Sequence, residues 1–389
     1  MVMFARTRKI KVCGLLAVCW LHAGVAQSEP TAPVVVPAPP AVAASAYLVQ
    51  DYVSGQILVE QNIDARVEPA SLTKMMTAYV IESELAAGKV KLADMVRISE
   101  KAWRMEGSKM FVKVNTEVSV QDLMRGVIIQ SGNVASVALA EHVAGTEEVF
   151  AAMMNEHAKR LGMTGTNFRN STGWPDPDHY TTTRDLATLG TALIRDFPEG
   201  YKVHSEKEFV FNDIAQKNRN ELLWSDSSID GIKTGHTESA GYCLVASSVR
   251  DGMRLVSVVM GASGSKSRTD ITSALLNYAY RFYENHTVAG ADQPLAQGKI
   301  WKGVSDTISA GLAQDLRLTI PRGSQSQLEK ITVLAERIVA PVEKHAAIGA
   351  FTVRLNGKEL ASRPLVALGA VESAGFFGRV ADEVRLMFE

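Results

Sequence analysis

Apolar positions recur at helical spacing over residues 75–87, 120–130, 134–144 and 147–161, and in strand-length runs on either side of that stretch. Residues 46–50 and 56–60 read as two strands joined by Tyr52-Val53-Ser54-Gly55, which has hairpin chemistry. Strand patterning returns at 242–249 and 253–260 around Arg250-Asp251-Gly252, and 271–283 reads as a closing helix. Strands at both ends of a helical middle predict one antiparallel sheet covered by helices, an α/β (α+β) arrangement. Past about residue 285 the texture changes. β-Branched segments at 306–309, 316–320, 331–334 and 351–355 alternate with the turn signals Pro321-Arg322-Gly323 and Asn356-Gly357, so a small all-β domain is expected there.

The ends of the chain refine this division. Arg6, Arg8, Lys9 and Lys11 precede an apolar stretch at 12–21 that is short for a membrane span, and Gly24-Val25-Ala26 supplies small residues for cleavage, so residues 1–26 read as a secretory signal peptide. Residues 27–45, rich in proline and alanine, read as an extended linker. The expected organisation is then a catalytic domain at 46–290, an all-β domain at 291–375 and a short amphipathic tail at 376–389. Cys13 and Cys19 would leave with the leader, and Cys243, in an apolar strand pattern, is left to pack rather than to form a disulfide.

Charge and composition exclude several functions. A formal net charge of −1 offers no basic field to nucleic acid. The 8 histidines form no His-x-x-x-His or Cys/His cluster, so neither a metal nor any other cofactor is expected. Asp176 and Asp185 are explained by a turn and a helix N-cap rather than by a catalytic carboxylate pair.

The chemistry lies in three motifs that fall in order: Ser71-Leu72-Thr73-Lys74, Ser131-Gly132-Asn133 and Lys233-Thr234-Gly235. Spacing alone proves little, because Ser263 and Lys266 repeat the first pattern within a Gly/Ser stretch. Ser71 instead opens an apolar helical run, and at i, i+3 its hydroxyl and the Lys74 amine share one face. A serine hydroxyl needs a base at neutral pH, and a neutral Lys74 would serve. Burial and a second cation both lower a lysine pKa, and Lys233 is the expected second charge. Ser131 would relay a proton to the departing amine, while Asn133 would bind a substrate amide or orient Lys74. Lys233 to Gly235 would form an edge strand on which a peptide lies as an added strand, with Gly235 admitting the substrate backbone closely.

Together with Pro69-Ala70, Met75-Met76, His236-Thr237, Ala240-Gly241-Tyr242 and Gly375-Phe376-Phe377-Gly378-Arg379-Val380, these motifs resemble low-molecular-mass penicillin-binding proteins of the type-5 branch, the peptidase S11 family of D-alanyl-D-alanine carboxypeptidases. The resemblance implies a β-lactamase/transpeptidase-like fold and a peptidoglycan stem pentapeptide as substrate. It also implies β-lactams as covalent inhibitors, a periplasmic setting, an oxyanion held by the backbone amides of Ser71 and His236, and a substrate carboxylate held by Thr234 and Arg268. Family members also carry a tail helix that lies on the membrane. Here an apolar face of Val380, Val384, Met387 and Phe388 favours inner-membrane contact, whereas Asp382, Glu383 and Glu389 outnumber Arg379 and Arg385 and oppose it. The alternatives are a β-lactamase or a D,D-endopeptidase of the same fold, and a non-catalytic cell-wall scaffold. No Glu-x-x-x-Asn element between Ser131 and Lys233 supports a class A β-lactamase.

Overall fold

Ala46–Asp51 (β1), Ile57–Gln61 (β2), Ile229–Thr237 (β3), Gly241–Arg250 (β4) and Met253–Ala262 (β5) form one antiparallel sheet in the order β2-β1-β5-β4-β3. This computed structural model describes residues 34–386. The expected leader and the first residues of the linker therefore lie outside the described residues. The sheet closes by pairing the first strand with the last in one register, from Ala46 opposite Met260 to Asp51 opposite Leu255. Asp251 and Gly252 both turn at positive φ, the backbone twist that a two-residue hairpin between β4 and β5 requires.

Both faces of the sheet are covered, which explains the unbroken apolar run in β4. Leu244 and Ala246 face a core with Leu275, Leu276 and Ala279 of the helix Ser265–Phe282, whereas Cys243 and Val245 face the helices of the chain's middle. Those helices are Lys74–Ala86 (α1), Val120–Ile128 (α2), Asn133–Ala144 (α3), Glu147–Arg160 (α4) and Thr183–Asp196 (α5), and Ser265–Phe282 is α6. Helix α3 is buried from Asn133 through Ala140, as expected of a helix that is apolar nearly all round. The helical period did not mark helix α5, whose start was expected only as an N-cap at Asp185, because its first turn, Thr-Arg-Asp, is polar. The Thr182 hydroxyl caps that helix by accepting from the Asp185 N–H, so Asp185 is not the cap. Its carboxylate instead accepts from Gly165 N–H and the Thr166 hydroxyl. Residues 34–45 carry no helix or strand, yet they are docked: the Tyr278 hydroxyl donates to Pro37 O at 2.6 Å, and Val36, Val42 and Ala44 pack against the α6 core.

Helix α6 runs straight into Tyr283–Ala289 (β6), which pairs with Leu316–Pro321. A second five-stranded sheet follows, assembled from Ala296–Lys299, Thr307–Gly311, Leu328–Leu334, Ala347–Leu355 and Lys358–Ala367. Ile308, Leu318, Phe351, Val353 and Leu365 fill its separate core. The sequence had not marked Ala296–Lys299 or Lys358–Ala367 as strands, since one lacks β-branched residues and the other carries Lys358, Glu359, Ser362, Arg363 and Pro364. The Ser54 and Thr319 hydroxyls, 2.6 Å apart, tie the β1–β2 hairpin to this domain. The tail forms a helix, Phe376–Leu386, anchored by Asp382, which accepts from the Lys302 N–H, and by an ion pair of Glu383 with the Lys302 ammonium. Among the described residues no helix is long and apolar enough to cross a membrane.

Candidate active site

Ser71 lies in a 3-10 turn, Ala70–Thr73, immediately before α1, rather than in the α-helix expected from the sequence. The tighter turn eclipses i and i+3 and so serves the pair well. The Lys74 ammonium nitrogen donates to Ser71 Oγ at 3.1 Å, to Asn133 Oδ1 at 2.7 Å and to Thr172 O at 2.7 Å. Lys74 is 1% exposed, and burial, reinforced by the charge of Arg219, brings its pKa down to about 7. Arg219, which carries no motif, thus acts on Lys74 as a further cation beside the Lys233 that the sequence suggested. Lys233 is itself pushed well below the ordinary lysine range by burial and then by Lys74, Arg219 and Arg268, and its amine donates to Thr234 O at 3.0 Å.

Ser131 occupies the turn between α2 and α3 at a φ of 63°, and its buried hydroxyl has no hydrogen-bond partner among the described residues. Such a group is costly unless a substrate or water completes it. Asn133, the first residue of α3, accepts from Lys74 with Oδ1 and donates from Nδ2 to Glu106 O at 2.6 Å. Of the two roles open to it, that geometry favours orienting Lys74, because both ends of its amide are occupied.

Strand β3 is the edge of the sheet, and it carries Lys233, Thr234 and Gly235, all buried, followed by an exposed His236 side chain. Glycine at 235 also serves the packing of the site: a Cβ there would stand 3.1 Å from Pro69 O and 3.2 Å from Leu72 Cγ, so its absence lets the turn carrying Ser71 approach β3 closely. Arg268 projects from α6, buried, with its guanidinium donating to Gly235 O, Cys243 O and Ser265 Oγ. Ser71, Ser131, Thr234, Arg268, Arg219 and Lys217 share a cleft of about 770 Å³. All nine residues singled out in the sequence therefore lie in or directly beneath this cleft. The second Ser-x-x-Lys does not join them: Lys266 pairs with Asp270 at an exposed surface.

Further residues that the sequence did not flag build the back of the site. Asn170 Oδ1 accepts from the backbone N–H groups of Thr172, Gly173 and Trp174, which aims the Thr172 carbonyl at Lys74. Ser171 donates its N–H and hydroxyl to Glu147 Oε1. Asp176 and Asp178 stand on the same loop's surface, with the Asp178 N–H bonded to Asp176 Oδ1 as the turn reading expected. Burial pushes the Cys243 thiol up to about 11, so it is not a nucleophile near neutral pH. Among the described residues no group of three His, Cys, Asp or Glu could hold a metal ion.

Comparison with known proteins bears on this geometry. Residues 33–264 match the D-alanyl-D-alanine carboxypeptidase family and residues 283–373 match the penicillin-binding protein 5 C-terminal domain. The D-alanyl-D-alanine carboxypeptidase DacC of Escherichia coli is 45% identical over 90% of this chain and 89% of its own. The structure of penicillin-binding protein 5 from Haemophilus influenzae superposes with a TM-score of 0.82 at 42% identity, over 87% of this chain and 100% of that one. Penicillin-binding protein D2 of Listeria monocytogenes, solved with ampicillin bound, superposes with a TM-score of 0.57 at 29% identity over 61% of this chain and 98% of its own.

Proposed function

The chain belongs to the D-alanyl-D-alanine carboxypeptidase family and is a serine-type enzyme with the penicillin-binding protein fold; from that premise we propose how its residues divide the reaction. A peptidoglycan stem peptide lies along β3 with its terminal carboxylate between Thr234 and Arg268. Neutral Lys74 takes the proton of Ser71 Oγ as that oxygen bonds to the carbonyl carbon of the penultimate D-alanine. The backbone amides of Ser71 and His236 hold the oxyanion, and donors so arranged often carry about 3 kcal/mol of the barrier. When the C–N bond breaks, Ser131 passes the proton from Lys74 to the leaving D-alanine amine. Water, deprotonated by Lys74, then releases the shortened peptide from Ser71.

The observation that carries this reading is the buried Lys74 amine, 3.1 Å from Ser71 Oγ and with its pKa at about 7. β-Lactams would acylate the same oxygen. The test is a fluorescent penicillin assay with D-alanine release from a pentapeptide ending in D-Ala-D-Ala, run beside Ser71→Ala. Stable Ser71-dependent labelling with D-alanine release is expected, and rapid loss of label with antibiotic hydrolysis would replace the reading with a β-lactamase.

The leader-like residues 1–26 and the cell-wall substrate support a periplasmic setting, to be checked by cell fractionation. The tail also supports contact with the inner-membrane surface. Phe376 and Phe377 are 67% and 86% exposed, while two of the three acids counted against that contact, Asp382 and Glu383, are turned onto Lys302. Flotation with anionic vesicles should be lost on deleting residues 376–389, and indifference to the deletion would remove the anchor.

A further inference from the structure

Thr73 occupies the N-cap of α1, a position whose hydroxyl ordinarily accepts from the helix's own first turn. Here it caps nothing. The side chain is fully buried and its Oγ1 lies 2.9 Å from Nε2 of His179, 106 residues away. The direction of that bond follows from the other ring nitrogen. Nδ1 of His179 accepts from the Arg169 N–H at 3.2 Å, so it carries no proton, and Nε2–H donates to Thr73. His179 is 3% exposed with its ring edge-on to Phe168, and burial, with Asp176 opposing and Arg169 reinforcing, holds its pKa down to about 4. The singly protonated ring therefore persists at neutral pH.

We propose that His179 is a positioning residue for the nucleophile: through Thr73 it fixes the turn carrying Ser71 and Lys74 against the loop at 168–179. The proposal rests on the roles given above to Ser71 and Lys74. The same loop meets the turn at every step. Thr172 O takes the Lys74 amine, Ser171 O takes the Thr77 hydroxyl at 2.6 Å, and Gly173 lies so close that a Cβ would fall 1.7 Å from Ala70 O. Ala70 is held at a φ of 48°, a conformation that alanine keeps only where its surroundings enforce it. The His179–Thr73 bond is the only side-chain-to-side-chain hydrogen bond between turn and loop among those described. A displacement of about 1 Å at a reacting pair can cost about 100-fold in rate.

Two substitutions separate the two ring nitrogens. His179→Gln places an amide N–H near the position of Nε2 and keeps the donor to Thr73. His179→Asn places Oδ1 near Nδ1, keeping the bond from Arg169 while losing Thr73. The acylation rate constant and the non-covalent binding constant for benzylpenicillin are measured separately, with the thermal midpoint alongside. His179→Asn should slow acylation about 10- to 100-fold with binding within about twofold of wild type, and His179→Gln should stay within about threefold on both. Thr73→Val should match His179→Asn, Thr73→Ser should restore the rate, and the Val/Asn double variant should be no slower than either single. A wild-type acylation rate in His179→Asn, equal losses in the Gln and Asn variants, or losses that add in the double variant would overturn the proposal. Should wild-type protein itself not be acylated at Ser71, the underlying reading falls instead.

Discussion

Lys74 shows how one residue's surroundings set both reactivity and stability. Burial favours its neutral form, with a pKa of about 7 against the ordinary 10.5. The acylation rate should accordingly rise with pH through an inflection near 7, as followed with a fluorescent penicillin; a flat profile from pH 5 to 9 would exclude Lys74 as the base. Stability carries the opposite side of that shift. Between about pH 7 and 10.5 the unfolded chain binds a proton at Lys74 that the folded chain does not, so stability rises with pH across that window, and the penalty is fully present below it. Lys74→Met should therefore be more stable than wild type by up to a few kcal/mol at pH 6, with the advantage shrinking toward pH 10. Urea midpoints at pH 6 and 9 would show it. Arg268 acts on binding instead: Arg268→Gln should raise KM for the pentapeptide about tenfold or more, because the terminal carboxylate loses its buried charged partner.

At the scale of elements, the site is where a 3-10 turn, an edge strand and a loop converge. Gly173 is the tightest point, with φ at 82° and no room for a Cβ against Ala70 O. Gly173→Ala should cost about 2–4 kcal/mol in chemical denaturation and abolish Ser71 labelling, since the chain must retreat from the nucleophile turn. The helical period placed α1 within a residue of its true start, and the hairpin at Arg250-Asp251-Gly252 was legible from its turn chemistry. The 3-10 geometry at Ser71 was not, because four residues carry no period of their own and packing against β3 and the loop sets their conformation.

For the whole molecule, the sheet joins β1 to β5, some 200 residues apart, and α6, which follows β5 directly, completes the cleft with Arg268. Each hydrogen-bond partner described for the Lys74 side chain precedes residue 180. The β-domain touches the catalytic part through the run of α6 into β6, through Arg322, which donates to Tyr280 O and Phe282 O, and through the Ser54–Thr319 pair, which lies on the hairpin and not on the cleft. Ser54→Ala is expected to leave the acylation rate within about twofold of wild type while lowering the thermal midpoint, because it removes the hydroxyl's bonds to Thr319, Asp51 and the Gln56 N–H, each worth about 1 kcal/mol. A large drop in acylation with an unchanged midpoint would show instead that the β-domain governs the site.

Sequence alone determined the outline of the first sheet, most of its covering helices and the three motifs with their serine–lysine chemistry, because hydrophobic period and short motif chemistry are local properties of the chain. The nucleophile Ser71, its partner Lys74 and the edge strand at Lys233 were legible for that reason. Tertiary structure decided that Arg219 joins Lys233 in acting on Lys74, how closely residue 235 packs on the nucleophile turn and what holds that turn. Arg219, the Thr172 carbonyl and His179 sit in loops with no recurring pattern, and their importance arises only when folding brings them within bonding distance of a buried amine and a strained turn in a medium where charge is poorly screened.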